Sequence, residues 1–147
     1  MTGGTGSYDD RGLIPRTLSY IFNECKQRSE NIKVNISYLQ IYQSYGYDLL
    51  AVENVTKKLE DLPKVEPREG ANGELQLNNL QSFHCNTEED ALNYLFIGDT
   101  NRVVSKTPKN DESTRSHCIF IINLETSKPG SDIKTVASVH LVDLSGS

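Results

Sequence analysis

The stretch that decides the fold is residues 110–124, Asn-Asp-Glu-Ser-Thr-Arg-Ser-His followed directly by Cys-Ile-Phe-Ile-Ile-Asn-Leu. A polar segment runs here into an almost continuous apolar one, the pattern of a strand covered on both faces. The same kind of junction recurs at residues 139–146, where Val-His-Leu-Val is followed by Asp-Leu-Ser-Gly. Hydroxyl and carboxylate oxygens suit a hard cation, and a glycine lets its backbone N–H approach a phosphate. The two junctions together predict a site for a nucleotide's terminal phosphate and its magnesium ion.

Apolar spacing predicts a first helix, in which Pro15 fits the first turn. Its apolar residues follow at i, i+3, i+4 and i+7, and they are Leu18, Ile21, Phe22 and Cys25. This spacing places them on one buried stripe. Residues 34–42 are rich in β-branched and aromatic side chains and predict a strand, which residues 44–47 would turn.

A second helix is predicted from a start signal at residues 87–90, Thr-Glu-Glu-Asp, which resembles a capping box with acids at the positive end of the helix dipole. Leu92, Leu95 and Phe96 would form its buried stripe, and Gly98 would end it.

The remaining strands complete a layered α/β sheet. Residues 68–73 predict a turn between two short strands. The last strand, residues 136–144, is expected to pair antiparallel with the strand at residues 118–124. Strands that alternate with helices favour an α/β architecture.

The composition excludes several classes of protein. The chain has 147 residues, of which 36% are hydrophobic and 24% charged, and a net charge of −5. An acidic chain is a poor candidate for nucleic-acid binding, which calls for a basic face. No apolar stretch approaches the roughly 20 residues of a membrane span. Three scattered cysteines favour a reducing compartment over a disulfide scaffold.

Two His-Cys pairs, at residues 84–85 and 117–118, raise the question of zinc. Neighbouring residues of a strand point to opposite faces, so one pair cannot readily turn both side chains to one ion. We therefore do not expect zinc.

The two polar junctions resemble the nucleotide switches of a known family. Asn110-x-x-Ser113-Thr114-Arg115-Ser116-His117 is similar to the switch I motif of kinesin motor domains, and residues 143–146 are similar to the start of their switch II motif. Residues 12–16, 38–42 with 48–50, and 98–107 agree in order and spacing. The resemblance covers residues 1–147 as one partial motor domain. Residues 46–50 and 59–65 look most like the kinesin-nine group of ciliary and flagellar motors.

This resemblance implies a partial P-loop kinesin motor fold, with a mixed central sheet flanked by helices. We expect the N-terminal P-loop part and the C-terminal part, including a glutamate partner for Arg115, to lie outside residues 1–147. The implied function is ATP hydrolysis coupled to movement along microtubules, with ATP and Mg²⁺ as cofactors and tubulin as partner. The implied location is the cytoplasm and cytoskeleton, with a cilium or flagellum for the kinesin-nine group, and any dimer would form through other regions.

The resemblance also assigns roles to residues of the first junction. Thr114 would offer its hydroxyl to Mg²⁺ and to the terminal phosphate. Ser113 and Asn110 would help to hold the attacking water and the γ-phosphate.

In the second junction, Asp143 would reach the magnesium through water, and the Gly146 N–H would contact the γ-phosphate. Arg115, in the first junction, would pair with the glutamate and control closure of the site.

The chain departs from the family pattern in one decisive respect. Its sequence contains no Gly-x-x-x-x-Gly-Lys followed by Ser or Thr, the loop that cradles the phosphates. We therefore expect the isolated chain to be inactive as an enzyme. The alternative is a non-enzymatic module that binds tubulin or another motor chain. A start codon assigned too late would give the same sequence, because Met1 coincides with an internal methionine of the family.

Overall fold

The structure is a computed structural model that describes residues 1–4, 8–51, 62–104 and 115–145. The described elements are a 3-10 helix at Tyr8–Asp10, α1 (Leu13–Gln27), β1 (Asn31–Tyr42), β2 (Tyr45–Asp48), β3 (Lys64–Glu69), β4 (Leu75–Asn78), β5 (Phe83–Cys85), α2 (Glu88–Val104), β6 (His117–Ser127) and β7 (Lys134–Asp143). Neither helix of the described part is long and apolar enough to cross a bilayer.

The strands form one sheet in the order β4-β3-β2-β1-β6-β7, and β5 also pairs with β1. Every pairing between described strands is antiparallel, including the long ladders of β6 with β1 and with β7. The predicted antiparallel pairing of the last two strands is therefore confirmed. The predicted turn at residues 68–73 is also confirmed, because it joins β3 to β4.

Both α-helices contribute to the core on one face of the sheet. This face is formed by alternate residues of the central strands, such as Ile36 and Tyr38 of β1 and Phe120 and Ile122 of β6. The predicted stripe of α1 is confirmed: Leu18, Ile21 and Phe22 are buried, whereas Cys25 is half-buried. On the opposite face Leu39 and Ile121 are buried and Ile119 is half-buried. The face of β6 that packs against the helices is therefore buried more completely than the opposite face.

The predicted start of α2 is confirmed in atomic detail. The Asp90 N–H donates to Thr87 Oγ1 at 3.2 Å, and the Thr87 N–H donates to Asp90 Oδ2 at 3.3 Å. These reciprocal bonds make a capping box in which Asp takes the usual place of Glu.

The predicted end and buried stripe of α2 were partly wrong. The helix continues past Gly98 to Val104, and Phe96 is 72% exposed. Of the other predicted residues Leu95 is buried and Leu92 is half-buried, and Ala91 is buried in addition. A Cβ at Gly98 would lie 2.2 Å from Cδ1 of Tyr38. The glycine therefore serves the close approach of helix to sheet, and it does not mark a helix end.

The predicted turn at residues 44–47 was also wrong in its position. The turn is made by Gln43 and Ser44, whose φ angles are 48° and 68°, and Tyr45 already begins β2. Two-residue hairpin turns with both φ values positive match the twist of the flanking strands. The turn is thus shorter than its Ser-Tyr-Gly composition indicates.

Candidate functional site

The predicted site residues fall partly within the described chain. Arg115 is exposed, and Asp143 is the last residue of β7, with its side chain 48% exposed. Asn110, Ser113, Thr114 and Gly146 lie outside the described residues, so their assigned roles remain predictions.

The register of the sheet brings the two polar junctions to the same end of the β6–β7 ladder. Cys118, near the start of β6, is paired with Asp143 at the end of β7, and Gln40 of β1 is paired with Cys118 from the other side. Residues directly opposite in a ladder share a face, so these three side chains lie on the helix-covered face. We call residues 115–118 together with residues 143–145 the β6–β7 tip.

Ser116 fastens the tip to β1. Gln40 Nε2 donates a hydrogen bond to Ser116 Oγ at 2.8 Å, and both side chains are buried. Hydrogen bonds between buried groups are strong because water does not compete, and breaking one leaves a costly unpaired group.

His117 fastens the tip to the residues that follow β7. The backbone N–H of Ser145 donates to His117 Nδ1 at 3.0 Å, and the Ser145 hydroxyl lies 3.5 Å from the same nitrogen. The two residues are 28 positions apart in sequence. The contact therefore connects the two polar junctions directly.

Asp99 of α2 contacts three side chains on the side of the site that faces the helices. It accepts hydrogen bonds from the Thr2 hydroxyl and from the Tyr38 hydroxyl, both at 2.8 Å, and lies 3.9 Å from the Arg102 guanidinium. Burial, and after it the charge of Asp99, raise the pKa of Tyr38, so the phenol stays protonated and donates. Asn101 Nδ2 adds a bond to the Leu49 carbonyl at 2.6 Å, which holds the end of α2 against the sheet.

Arg102 extends from this side of the site toward the tip. Its Nη1 lies 3.8 Å from Cys118 Sγ. Burial raises the pKa of the Cys118 thiol and the nearby guanidinium opposes that effect, so the sulfur remains a neutral thiol near pH 7. Arg102 thus places a positive charge beneath Asp143, the partner of Cys118 in the ladder.

The space under Asp143 is small. The cleft lined by Thr2, Tyr38, Arg102 and Asp143 has a volume of about 10 Å³, which is room for about one water molecule. The Met1 ammonium lies 4.0 Å from Asp143 Oδ2. A ligand at this carboxylate would therefore bind on its exposed side.

The described oxygen donors near Asp143 are few, which restricts how magnesium could bind. Among the described residues no three His, Cys, Asp or Glu side chains lie close enough to share a metal ion. Mg²⁺ keeps several waters and commonly uses one or two protein oxygens plus substrate phosphates. A single half-exposed carboxylate at a strand end fits that mode of binding.

The two His-Cys pairs place their side chains differently. His84 is exposed and its Nε2 lies 3.0 Å from Asn86 Oδ1, whereas Cys85 is buried. His117 bonds Ser145, whereas Cys118 faces Arg102.

The comparisons with known proteins agree with this geometry. The family model of the kinesin motor domain matches residues 1–147. The chain belongs to the kinesin motor-domain family. The resemblance drawn from the switch motifs is therefore confirmed.

Individual relatives match the whole chain. It is 38% identical to the kinesin-like protein KIF9 of Mus musculus and to that of Homo sapiens, and 36% identical to the kinesin-like protein KLP1 of Chlamydomonas reinhardtii. Each match covers 100% of this chain and 19% of the relative, so the chain spans about a fifth of those proteins. KIF9 relatives at this identity support the likeness to the kinesin-nine group.

The fold is shared with a solved kinesin structure. The structure of a fast kinesin, studied for its ATPase mechanism and its interactions with microtubules, superposes with a TM-score of 0.85 at 27% identity. It covers 99% of this chain, which in turn covers 40% of that kinesin. The predicted fold, part of a kinesin motor domain with a central sheet and flanking helices, is confirmed.

Sequence reasoning missed three structural residues of the site: Asp99, Gln40 and Tyr38. Gln40 and Tyr38 interrupt an apolar strand with polar groups, a signal that such groups need buried partners. Asp99 carried no comparable signal, because the helix was predicted to end at Gly98, which placed Asp99 beyond the helix.

Proposed function

We propose that this chain supplies the switch-bearing part of an ATP-dependent microtubule motor domain. The observation that carries the proposal is the pairing of Cys118 with Asp143, which sets the two kinesin-like junctions side by side at one end of the β6–β7 ladder. Membership of the kinesin motor-domain family supports it.

The first junction contributes hydroxyls and an amide to the nucleotide. Thr114 binds Mg²⁺ and the terminal phosphate, while Ser113 and Asn110 hold the attacking water and the γ-phosphate. The anchoring of Ser116 to Gln40 supports this role, because it fixes where that segment meets the sheet. Phosphoryl transfer depends mainly on such positioning and on charge stabilisation.

The second junction contributes a carboxylate and a backbone donor. Asp143 holds a water of the magnesium shell, and the Gly146 N–H contacts the γ-phosphate. When bound, Mg²⁺ neutralises charge on the phosphates. Arg115, which is exposed, is available to pair with an acidic side chain that closes the site.

The 147-residue chain by itself has no ATPase activity under this proposal. Its sequence contains no phosphate-binding Gly-x-x-x-x-Gly-Lys loop. Without the cradle for the phosphates, nucleotide affinity is lost together with turnover. A purified 147-residue polypeptide that hydrolysed ATP with microtubule stimulation would contradict this part of the proposal.

The catalytic assignment is tested in a chimera, in which this chain replaces the matching segment of mouse KIF9. We expect Thr114→Ala to lower microtubule-stimulated kcat by about 10- to 100-fold, the range for loss of a metal-site contact, and Thr114→Ser to restore it. The matched control is Thr135→Ala, at an exposed position of β7. Unchanged turnover in Thr114→Ala would refute the assignment.

The partner is the microtubule, and the location is the cytoskeleton. The likeness to KIF9 and to the kinesin-nine group supports a cilium or flagellum. Residues 66–80, which include most of the β3–β4 hairpin, resemble a segment of the family that touches tubulin, but with Arg68 against three glutamates this segment is not basic. Co-sedimentation of the chimera with microtubules, with and without the hairpin's exposed Arg68 replaced by Glu, tests that contact.

A second candidate function is favoured by the outer edge of β7. Among the described strands β7 pairs only with β6, and Val136, Val142 and Leu144 near this edge are exposed. An open, apolar strand edge invites pairing with another chain. A non-enzymatic module that binds tubulin or a second motor chain would use it. A strictly monomeric 147-residue chain by light scattering, with no binding to tubulin, would exclude this alternative.

A further inference from the structure

We propose that His117 is a positioning residue that couples the two nucleotide junctions, by accepting the backbone hydrogen bond of Ser145. The inference rests on the proposed function, because it concerns how that same site is held together. It assigns His117 no contact with the nucleotide.

The geometry defines what the imidazole must do. Its Nδ1 lies 3.0 Å from the Ser145 backbone nitrogen, and a backbone N–H can only donate. Nδ1 is therefore the unprotonated nitrogen, and the proton of the neutral ring is on Nε2. The imidazole is half-buried, so it can hold one tautomer without being sealed from solvent.

The contact begins where the ladder ends. The last pair of the β6–β7 ladder is Cys118 with Asp143, and the Ser145 N–H lies two residues beyond it. The Ser145 N–H therefore donates to the His117 side chain, where a donor inside the ladder would donate to a backbone carbonyl of the neighbouring strand. Because partly buried backbone donors need a partner, the imidazole continues the connection that the backbone no longer makes.

The position of this contact in the sequence gives it functional weight. His117 comes three residues after Thr114, and Ser145 directly precedes Gly146. On its other side the same segment is fixed to β1 through Ser116 and Gln40. His117 therefore adds a side-chain connection between the two junctions to the backbone pairing of Cys118 with Asp143.

The hydrogen bond itself can be measured in the 147-residue chain without nucleotide. We expect a through-hydrogen-bond scalar coupling between the Ser145 amide nitrogen and His117 Nδ1, with the ring in the Nε2-protonated tautomer. His117→Phe keeps an aromatic ring and removes the acceptor, so the Ser145 amide should exchange with solvent about tenfold faster. The amide of Phe120, in the middle of β6, reports whether the sheet remains intact.

Two further variants separate the acceptor from the bulk of the ring. His117→Asn places a carbonyl oxygen near the position of Nδ1 and should restore protection of the Ser145 amide. Ser145→Ala keeps the backbone donor and should also leave it protected. A Nδ1-protonated ring, or equal exchange in the Phe and Asn variants, would overturn the proposal.

The consequence for turnover is measured in the KIF9 chimera. His117→Phe should lower kcat about tenfold or more with little change in the KM for ATP, and His117→Asn should recover most of the loss. If the scalar coupling between Ser145 and His117 is observed but neither His117→Phe nor His117→Asn alters kcat, the positioning role is wrong. If the unsubstituted chimera hydrolyses no ATP, the proposed function fails, while the hydrogen bond stands or falls on the measurement in the isolated chain.

Discussion

The two ends of the β6–β7 ladder differ in how they are held, although one continuous ladder joins them. At the β6–β7 tip, side chains bond to β1, to the residues after β7 and toward α2. At the opposite end, residues 124–137, which we call the hairpin end, side chains are half-buried or exposed. Its ion pair joins Lys134 Nζ to Glu125 Oε1 at 3.0 Å on the surface. Sheet pairing alone therefore does not fix a site; tertiary bonds at one end do so.

The largest expected loss of stability follows from replacing Gly98, which packs beneath the β6–β7 tip. In Gly98→Ala the new Cβ would lie 2.2 Å from the Tyr38 ring beneath the tip. We expect a loss of about 3 kcal/mol in the free energy of unfolding, measured by urea denaturation, because a packed interface must move.

The matched control lies in the turn of the hairpin end. Gly130 has φ +79° and nothing within 4 Å of a built Cβ, so Gly130→Ala adds only backbone strain, about 1 kcal/mol. Equal losses for the two variants would mean that packing at Gly98 is not as tight as the structure has it.

A second comparison sets a buried carboxylate against an exposed one. Asp48 is fully buried and accepts the N–H groups of Leu50 and Gln81, each at 2.9 Å. Asp48→Asn supplies one acceptor where two are used, so we expect a loss of about 2 kcal/mol in the free energy of unfolding.

The pH dependence of this loss has a definite sign. Burial raises the pKa of Asp48 above its ordinary value of 3.8 despite the backbone donors. The folded protein therefore binds the Asp48 proton more tightly than the unfolded chain, and the stabilisation from Asp48 falls as pH rises from 3.8 through the raised pKa.

Denaturation from about pH 4 to pH 7 should thus show the Asn variant's deficit shrinking as pH rises. The reference is Glu125, whose pKa its Lys134 partner lowers, so that its contribution has the opposite sign. A deficit that grew with pH would contradict the account of Asp48.

A smaller effect is expected from the hydroxyl of Tyr38. Tyr38→Phe removes the bond to Asp99 and keeps the ring against Phe120, at a centroid distance of 5.2 Å. We expect a loss of about 1 kcal/mol in the free energy of unfolding, measured by thermal or urea denaturation, the usual value for one partly buried hydrogen bond. A double-mutant cycle with Asp99→Asn should show coupling between the two positions.

The smallest effect is expected at the hairpin end. Lys134→Ala removes the ion pair with Glu125, and because both groups are accessible to water we expect a change in the free energy of unfolding close to the error of the measurement. The measurement is again urea unfolding, repeated at high salt, where the difference should vanish. A loss as large as that of Tyr38→Phe would remove the contrast between the two ends.

The sequence predicted the features that local patterns encode. The apolar spacing of α1, the capping box of α2 and the almost continuous apolar run of β6 were sufficient, because such patterns act over a few residues. The switch motifs identified the family for the same reason, since they are contiguous.

The sequence did not predict features that depend on distant contacts. Glycine often ends a helix, which is why the sequence predicts a helix end at Gly98. A glycine is required there because the Tyr38 ring, 60 positions away in the chain, packs against it. Phe96 looked like a core residue and is exposed. The bond of His117 to Ser145 requires the register of two strands, which no local pattern states.

We propose that the β6–β7 tip, and not the hairpin end, is the nucleotide end of the ladder. The most direct test compares Asp143→Asn with Lys134→Gln in the KIF9 chimera by steady-state ATPase assays over a range of Mg²⁺ concentrations. We expect Asp143→Asn to lower kcat about 10- to 100-fold and to raise the Mg²⁺ requirement, with Lys134→Gln unchanged. Equal activity of the two variants at every Mg²⁺ concentration would contradict the account.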